Sequence, residues 1–144
     1  MRILAVDDDK VSRMVFGAYL SNVIDKRGMG YSFEMAESGM EALRKCVAER
    51  FDLIFMDVMM PEMDGLEAVK AIGQIYKSRG WKEAFIVMVT ACENKRMEAR
   101  DTGAVGYLLK PVRQCQVLDW IQLAMFEGKN GENVGEPGNI GRQG

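Results

Sequence analysis

Four apolar runs in this chain end abruptly on polar residues. Ile3-Leu4-Ala5-Val6 stops at Asp7-Asp8-Asp9, and Phe51 to Met56, apolar apart from Asp52, stops at Asp57. Phe85 to Val89 stops at Thr90, and Val105 to Leu109 stops at Lys110-Pro111. Carboxylates brought into one place repel each other and call for a cation. The chain has no histidine, and its three cysteines show no metal-knuckle spacing. Hard oxygen donors without His or Cys select Mg²⁺ over zinc. A lysine adds a second positive centre and a threonine a small hydroxyl donor. Acid cluster, Mg²⁺, Lys and Thr together suit the charge stabilisation of phosphoryl transfer. A carboxylate can itself be the nucleophile and form an acyl phosphate. Asp57 is the best candidate, because it closes the most apolar central run.

Those residues can meet only if the runs are neighbouring strands. Ile3 to Val6 is a short continuous apolar run, as in a parallel strand covered on both faces. Val11, Met14, Val15 and Ala18 then recur at helical spacing, predicting a helix to about Asn22 or slightly beyond. Arg27 to Gly30 reads as a loop, and the alternation over Tyr31, Phe33 and Met35 as a half-buried edge strand. Ser38 with Glu41 forms a capping-box pattern for a helix to about Arg50, with Met40, Leu43, Cys46 and Val47 on one side. Asp64 with Glu67 repeats the pattern after the loop Met60-Pro61-Glu62-Met63-Asp64-Gly65, and Leu66, Val69, Ile72 and Tyr76 carry that helix. Asp64 is read as its N-cap and Gly65 as a helix-start residue that needs no side chain. A polar helix is expected over Asn94–Thr102 and a last helix over Gln114–Phe126.

Five strands thus alternate with five helices, which predicts an α/β fold: a parallel sheet with helices on both faces and right-handed crossovers. In such a sheet the carboxyl ends of the strands share one edge, and ligands bind there. Residues spread over more than a hundred positions converge on one crevice by that argument alone.

Length and composition bound the remaining choices. The chain has 144 residues, 48% apolar and 28% charged, with a formal net charge of -2. That is one domain's worth, enough to bury a core without a disulfide or metal staple. Nineteen Lys+Arg against 21 Asp+Glu leave no basic excess for general nucleic-acid binding. The cysteines read as small buried hydrophobes in a reducing compartment. No 18-residue apolar run is present, and the first residues are too short and too acidic for a signal peptide, so a cytoplasmic location is expected. Met1 directly before the first strand reads as a natural start. Residues 128–144, with six glycines, read as a disordered tail, a linker remnant or a cloning scar after a domain spanning 1–127. Trp120 lies off the main apolar stripe of the last helix and is a candidate interface anchor.

The ordered chain, from about residue 2 to 126, resembles the receiver domain of two-component response regulators, of the chemotaxis-receiver type. The blocks that carry the resemblance occur in the family's order. They are Ile3-Leu4-Ala5-Val6-Asp7-Asp8, then Ala36 to Leu43, Asp52 to Asp57, Met60 to Gly65, Val89-Thr90-Ala91 and Lys110-Pro111. The resemblance implies a flavodoxin-like (βα)5 sandwich with strand order 2-1-3-4-5. It implies that Asp57 is the phosphoacceptor, that Asp7, Asp8, Asp57 and the backbone carbonyl of Met59 hold Mg²⁺, and that Lys110 pairs with the phosphoryl group. Thr90 and Tyr107 would form the switch, and Pro111 would follow a cis peptide. Asp9 is read mainly as the cap of the first helix. The implied phosphodonor is a histidine kinase or histidine phosphotransfer protein. The implied readout, by a downstream protein or a missing output domain, is on the face built from residues 94–126. The implied chemistry is that of a phosphoacceptor with at most self-catalysed phosphotransfer and autodephosphorylation.

Other classes fit less well. An aspartyl-nucleophile phosphatase wants an Asp two residues after the nucleophile, where this chain has Met59. A flavodoxin-type electron carrier would meet carboxylates where the flavin phosphate must sit. A protein-binding scaffold that never turns over phosphate is a third class, which Mg²⁺-dependent labelling of Asp57 separates from the phosphoacceptor.

Overall fold

The computed structural model describes residues 1–27 and 30–130. Strands β1 (Arg2–Val6), β2 (Ser32–Ala36), β3 (Leu53–Asp57), β4 (Phe85–Thr90) and β5 (Gly106–Leu109) alternate with helices α1 (Lys10–Arg27), α2 (Gly39–Ala48), α3 (Gly65–Ser78), α4 (Arg96–Asp101) and α5 (Gln114–Asn130). A short 3₁₀ turn, Glu93–Lys95, precedes α4. All strands are parallel, in the order β2-β1-β3-β4-β5. This is the doubly wound, flavodoxin-like arrangement expected from the strand–helix alternation. Helix α5 runs three residues into the segment read as tail, and the rest of that segment lies outside the described residues. Among the described residues no helix is long and apolar enough to cross a membrane.

The continuous apolar runs split by alternation into two cores. Leu4, Val6, Ile54, Met56, Ile86 and Met88 pack with residues of α2 and α3. Ile3, Ala5, Leu53, Phe55, Val87 and Val89 pack with residues of α1 and α5. A strand buried on both faces has no polar side to show, which is why these runs read as unbroken. Tyr76 ties α3 to the start of β3: its hydroxyl accepts from Phe51 N at 2.7 Å and donates to Phe51 O at 3.0 Å.

Two helices turn a different face inward from the one their spacing suggested. In α1 the buried stripe is Phe16, Leu20 and Val23, while Val11, Met14 and Val15 are exposed. Both sets satisfy helical spacing, and the bulkier one takes the core. In α2 Cys46 is buried and Leu43 packs against the core as the spacing suggested, but Met40 and Val47 are exposed and the small residues Gly39 and Ala42 face inward instead. Trp120 is not an exposed anchor. It is 1% exposed, packed against Phe85 and against the backbone of Gly106, where a Cβ would lie 2.2 Å from the indole. A large side chain on α5 therefore fills the space that a missing one on β5 leaves. The cysteines also diverge: Cys46 is buried, Cys92 half-buried and Cys115 exposed.

Candidate functional site

Register puts the polar strand ends side by side. Val6 pairs with Met56, so Asp7 and Asp57 follow adjacent residues on neighbouring strands. Asp57 pairs with Val89 and Thr90 with Leu109, which brings Thr90 and Lys110 to the same edge. Among the described residues the buried polar or charged side chains are Asp7, Asp57 and Thr90, all here. Polar burial on this scale is costly unless each group has a partner.

The partners are specific. Lys110 Nζ lies 2.9 Å from Asp7 Oδ2 and 3.2 Å from Asp57 Oδ2. Asp57 Oδ1 accepts from Met59 N at 3.2 Å, and Asp7 Oδ1 accepts from Asp9 N at 2.9 Å. Asp8 is exposed, and Asp7, Asp8 and Asp57 each offer a carboxylate oxygen within 4.8 Å of the others. Burial pushes the Asp57 carboxyl up to about 6; the Lys110 ammonium opposes that rise and the Asp7 carboxylate adds to it. Burial acts to lower Lys110, but its bonds to the two aspartates outweigh this and hold it above its ordinary value. One lysine for three carboxylates leaves the crevice net negative. Three hard oxygen donors in that crevice fit a divalent cation such as Mg²⁺.

The loops that present these groups are locally determined. Asp9 caps α1, with Ser12 N donating to its Oδ2 at 2.8 Å, and this bond holds the Asp9 carboxyl below its usual range. Asp64 and Glu67 form the reciprocal capping box at α3, at 2.9 and 3.3 Å. At α2 only half the box forms: Ser38 Oγ accepts from Glu41 N at 3.0 Å, while the Glu41 carboxylate accepts from Glu37 N. The Lys110–Pro111 peptide is cis.

Thr90 Oγ1 accepts from Cys92 N at 3.1 Å. The Tyr107 ring is buried, and its hydroxyl donates to the Cys92 carbonyl. The peptide groups flanking Cys92 thus connect Thr90 to Tyr107. The Arg96 guanidinium stands over the Tyr107 ring, 4.8 Å from its centroid.

Two features escape a reading of the sequence, and a third, the Gly65 position read there as needing no side chain, is tighter than that reading implies. Gly65 is required by contact: a Cβ there would lie 2.0 Å from the Asp57 carbonyl oxygen, and Gly65 N donates to Val58 O at 2.9 Å. The bridging role of Cys92 belongs to its backbone, which no residue type announces. Arg13 Nη1 donates to the Asp7 carbonyl at 2.9 Å. Its position one helical turn after Asp9 is the sole hint. Beside the crevice, a cavity of ≈ 380 Å³ is walled by Val11, Val15, Phe16, Tyr19 and Val112, with Asp7 and Lys110 also in its lining.

Fold and site together define an open parallel α/β domain whose carboxyl edge holds an acidic, lysine-bridged crevice. Residues 3–122 match the response regulator receiver domain family. The chain is 40% identical over 113 residues to the response regulator MprA of Mycobacterium leprae, covering 77% of this chain and 45% of that protein. It is 38% identical over 112 residues to hybrid signal transduction histidine kinase E of Dictyostelium discoideum, covering 76% of this chain and 6% of that protein. The chain therefore spans less than half the length of these relatives. Among solved structures, chemotaxis protein CheY4 of Vibrio cholerae superposes with a TM-score of 0.71 at 35% identity, covering 85% of this chain and 97% of that one. The Ssk1 receiver domain of Saccharomyces cerevisiae was solved with the phosphotransfer protein Ypd1. A chain of that complex superposes with a TM-score of 0.76 at 27% identity, covering 89% of this chain and 90% of that one. The chain belongs to the response regulator receiver domain family of two-component signalling.

Proposed function

We propose that this chain is a phosphoacceptor switch in which Asp57 receives a phosphoryl group from the phosphohistidine of a histidine kinase or histidine phosphotransfer protein. The observation that carries this reading is the Lys110 ammonium set between the Asp7 and Asp57 carboxylates at the strand ends. An Asp57 carboxylate oxygen attacks phosphorus, the P–N bond to the donor imidazole breaks, and the released imidazole takes its proton from water. Asp7, Asp8, Asp57 and the Met59 carbonyl would hold Mg²⁺, which when bound neutralises charge on the transferring phosphoryl oxygens. Lys110 stays paired with Asp7 and pairs with the phosphoryl group as its charge arrives. Met59 offers no carboxylate to activate water, which favours a retained acyl phosphate over rapid hydrolysis.

The donor approaches over an apolar rim. Val11, Val15 and Met59 are exposed. Val11 and Val15 line the cavity shared with Asp7 and Lys110, and the Met59 amide bonds Asp57. Apolar side chains grouped on a surface favour protein docking. After transfer, Thr90 binds a phosphoryl oxygen, and the Cys92 backbone passes its movement to Tyr107 and α4. The signal is read by a downstream protein or a further domain on the face built from residues 94–126, in the cytoplasm and without direct nucleic-acid binding. The test is to incubate the chain with Mg²⁺ and a small phosphodonor, reduce the acyl phosphate with borohydride and map the labelled residue. Label on Asp57 alone, lost in Asp57→Asn, is expected; label elsewhere would overturn the assignment.

A further inference from the structure

We propose that Arg13 is a positioning residue for the cation site, holding the peptide between Asp7 and Asp8 so that the Asp8 carboxylate faces the crevice. This rests on the Mg²⁺ site of the proposed function. Arg13 Nη1 donates to the Asp7 carbonyl oxygen at 2.9 Å, and Nη2 lies 3.5 Å from Glu37 Oε2. The Arg13 side chain is only 20% exposed, whereas that of Glu37 is 66% exposed. One guanidinium therefore spans the first turn of α1, the end of β1 and the loop between β2 and α2.

The three aspartates are not equally anchored. The Asp57 carboxylate is fixed by Met59 N and Lys110, and that of Asp7 by Asp9 N and Lys110. The Asp7 amide is fixed as well, donating to Ala36 O at 3.1 Å. Among the described residues the Asp8 carboxylate carries no hydrogen bond or ion pair. The direction of its Cα–Cβ bond is set by its backbone, and the peptide plane that enters it is the one whose oxygen Arg13 holds. A charge-assisted bond to a carbonyl is among the stronger ways to fix a peptide plane.

Arg13 also places a positive charge near a site for a cation, which by itself would weaken Mg²⁺ binding. Glu37, 3.5 Å from Nη2, offsets part of that charge. The two roles predict opposite signs: if Arg13 acts only as a nearby charge, removing it tightens Mg²⁺ binding, and if it positions Asp8, removing it weakens binding. Losing a group that orients a metal ligand typically costs about ten- to a hundredfold in affinity.

The test is a Mg²⁺ titration of the full chain, followed by amide chemical shifts near Asp8 and Met59, for the parent, Arg13→Met, Arg13→Lys and Asp8→Asn. Arg13→Met is expected to raise the Mg²⁺ dissociation constant about tenfold, with its metal-free melting temperature close to the parent's. Arg13→Lys, which keeps a charged donor on a long stem, should recover part of the loss. Labelling of Arg13→Met by a small phosphodonor should regain the parent's rate at saturating Mg²⁺, since half-saturation is altered and the reacting groups are intact. Unchanged or tighter Mg²⁺ binding in Arg13→Met, with Asp8→Asn clearly weakened, overturns the role of Arg13 alone. A parent whose Mg²⁺ response does not depend on Asp8 overturns the cation site itself, and Arg13's role with it. A general fall in melting temperature that Arg13→Lys does not relieve marks Arg13 as structural and also overturns the proposal.

Discussion

Lys110 Nζ stands 3.2 Å from Asp57 Oδ2, joining the ends of two strands that are not neighbours in the sheet. The strand between them, β4, ends on the buried Thr90 at the same edge. The same ammonium reaches Asp7, so one side chain offsets two buried carboxylates. Its removal leaves both without a cation. Lys110→Met is expected to destabilise the metal-free protein by about 1–2 kcal/mol, less than a fully buried pair would lose, because the lysine side chain is 25% exposed. Saturating Mg²⁺ should restore much of that loss. Urea unfolding with EDTA and with Mg²⁺ measures both; equal destabilisation under the two conditions would separate Lys110 from the carboxylate cluster.

Asp57 carries a pH signature. Its carboxyl is pushed up to about 6 in the folded chain, above the ordinary 3.8, mainly by burial. The folded state then binds this proton more tightly than the unfolded state does. The group therefore lowers stability as pH rises from about 4 to about 6, and the cost is complete above that range. The interval corresponds to as much as about 3 kcal/mol. In EDTA, Asp57→Asn should be more stable than the parent at pH 7, and the gap should close as pH falls towards 4. A gap that widens on acidification would contradict the burial account.

Asp8 and Asp9 are adjacent, yet the structure separates them. Asp9 bonds the Ser12 amide at the start of α1, whereas among the described residues the Asp8 carboxylate is unbonded and joins the carboxylate group. Asp9→Ala should lower the melting temperature and leave Mg²⁺ affinity near the parent's, because Asp9 holds Asp7 Oδ1 through its backbone amide. Asp8→Ala should do the reverse. Melting curves in EDTA beside Mg²⁺ titrations score the two variants on both axes, and a shared loss of Mg²⁺ binding would bring Asp9 into the cation site.

The parts of this site that can be read from residue order are those set by strand ends. A run such as Leu53 to Met56 is unbroken because β3 is covered on both faces, so the first polar residue after it marks the sheet edge. Asp7, Asp57, Thr90 and Lys110 are all found by that rule. Helix faces are harder, because α1 carries two apolar stripes and periodicity cannot rank them. Val11, Met14 and Val15 satisfy the spacing as well as Phe16, Leu20 and Val23 do, and only the latter reach the core. Periodicity misplaces Trp120 for a related reason: its space is made by Gly106 on a different element. Contacts made by backbone atoms, such as those of Cys92 and the Asp7 carbonyl, leave no trace in side-chain chemistry.

Gly65 illustrates the same limit with a measurable consequence. A methyl group there would sit 2.0 Å from the Asp57 carbonyl oxygen, closer than any relaxation of a flexible side chain could relieve, because the obstacle is backbone. Gly65→Ala must move the end of β3 or the start of α3. A cost of about 1–3 kcal/mol is expected, with amide shifts at Asp57, Val58 and Met59. Full stability in Gly65→Ala would mean that α3 approaches the strand end less closely than this contact requires.

The route from the crevice to α4 can be tested one bond at a time. Thr90 Oγ1 accepts from Cys92 N at 3.1 Å, and the Cys92 carbonyl accepts from the Tyr107 hydroxyl. A phosphoryl group on Asp57 offers strong acceptor oxygens, and the Thr90 hydroxyl can donate to one of them. In the proposed switch a turn of Thr90 changes the acceptor that Cys92 N sees and shifts the carbonyl that holds Tyr107. In that switch helix α4 moves next, as the weakest element nearby. It is one short helix, Arg96–Asp101, with Ala99 as its buried residue. Amide spectra with and without a beryllofluoride mimic of the phosphoryl group should show shifts near Asp8, Asp57 and Lys110, and also across residues 92–109. Thr90→Ala lacks the hydroxyl and should keep the first group of shifts while losing most of the second. Tyr107→Phe cannot donate to Cys92 and should retain shifts up to residue 92 but weaken those from 94 onward. If Thr90→Ala carries the full set of shifts to α4, the coupling does not run through this hydroxyl, and the Cys92 backbone is a static brace.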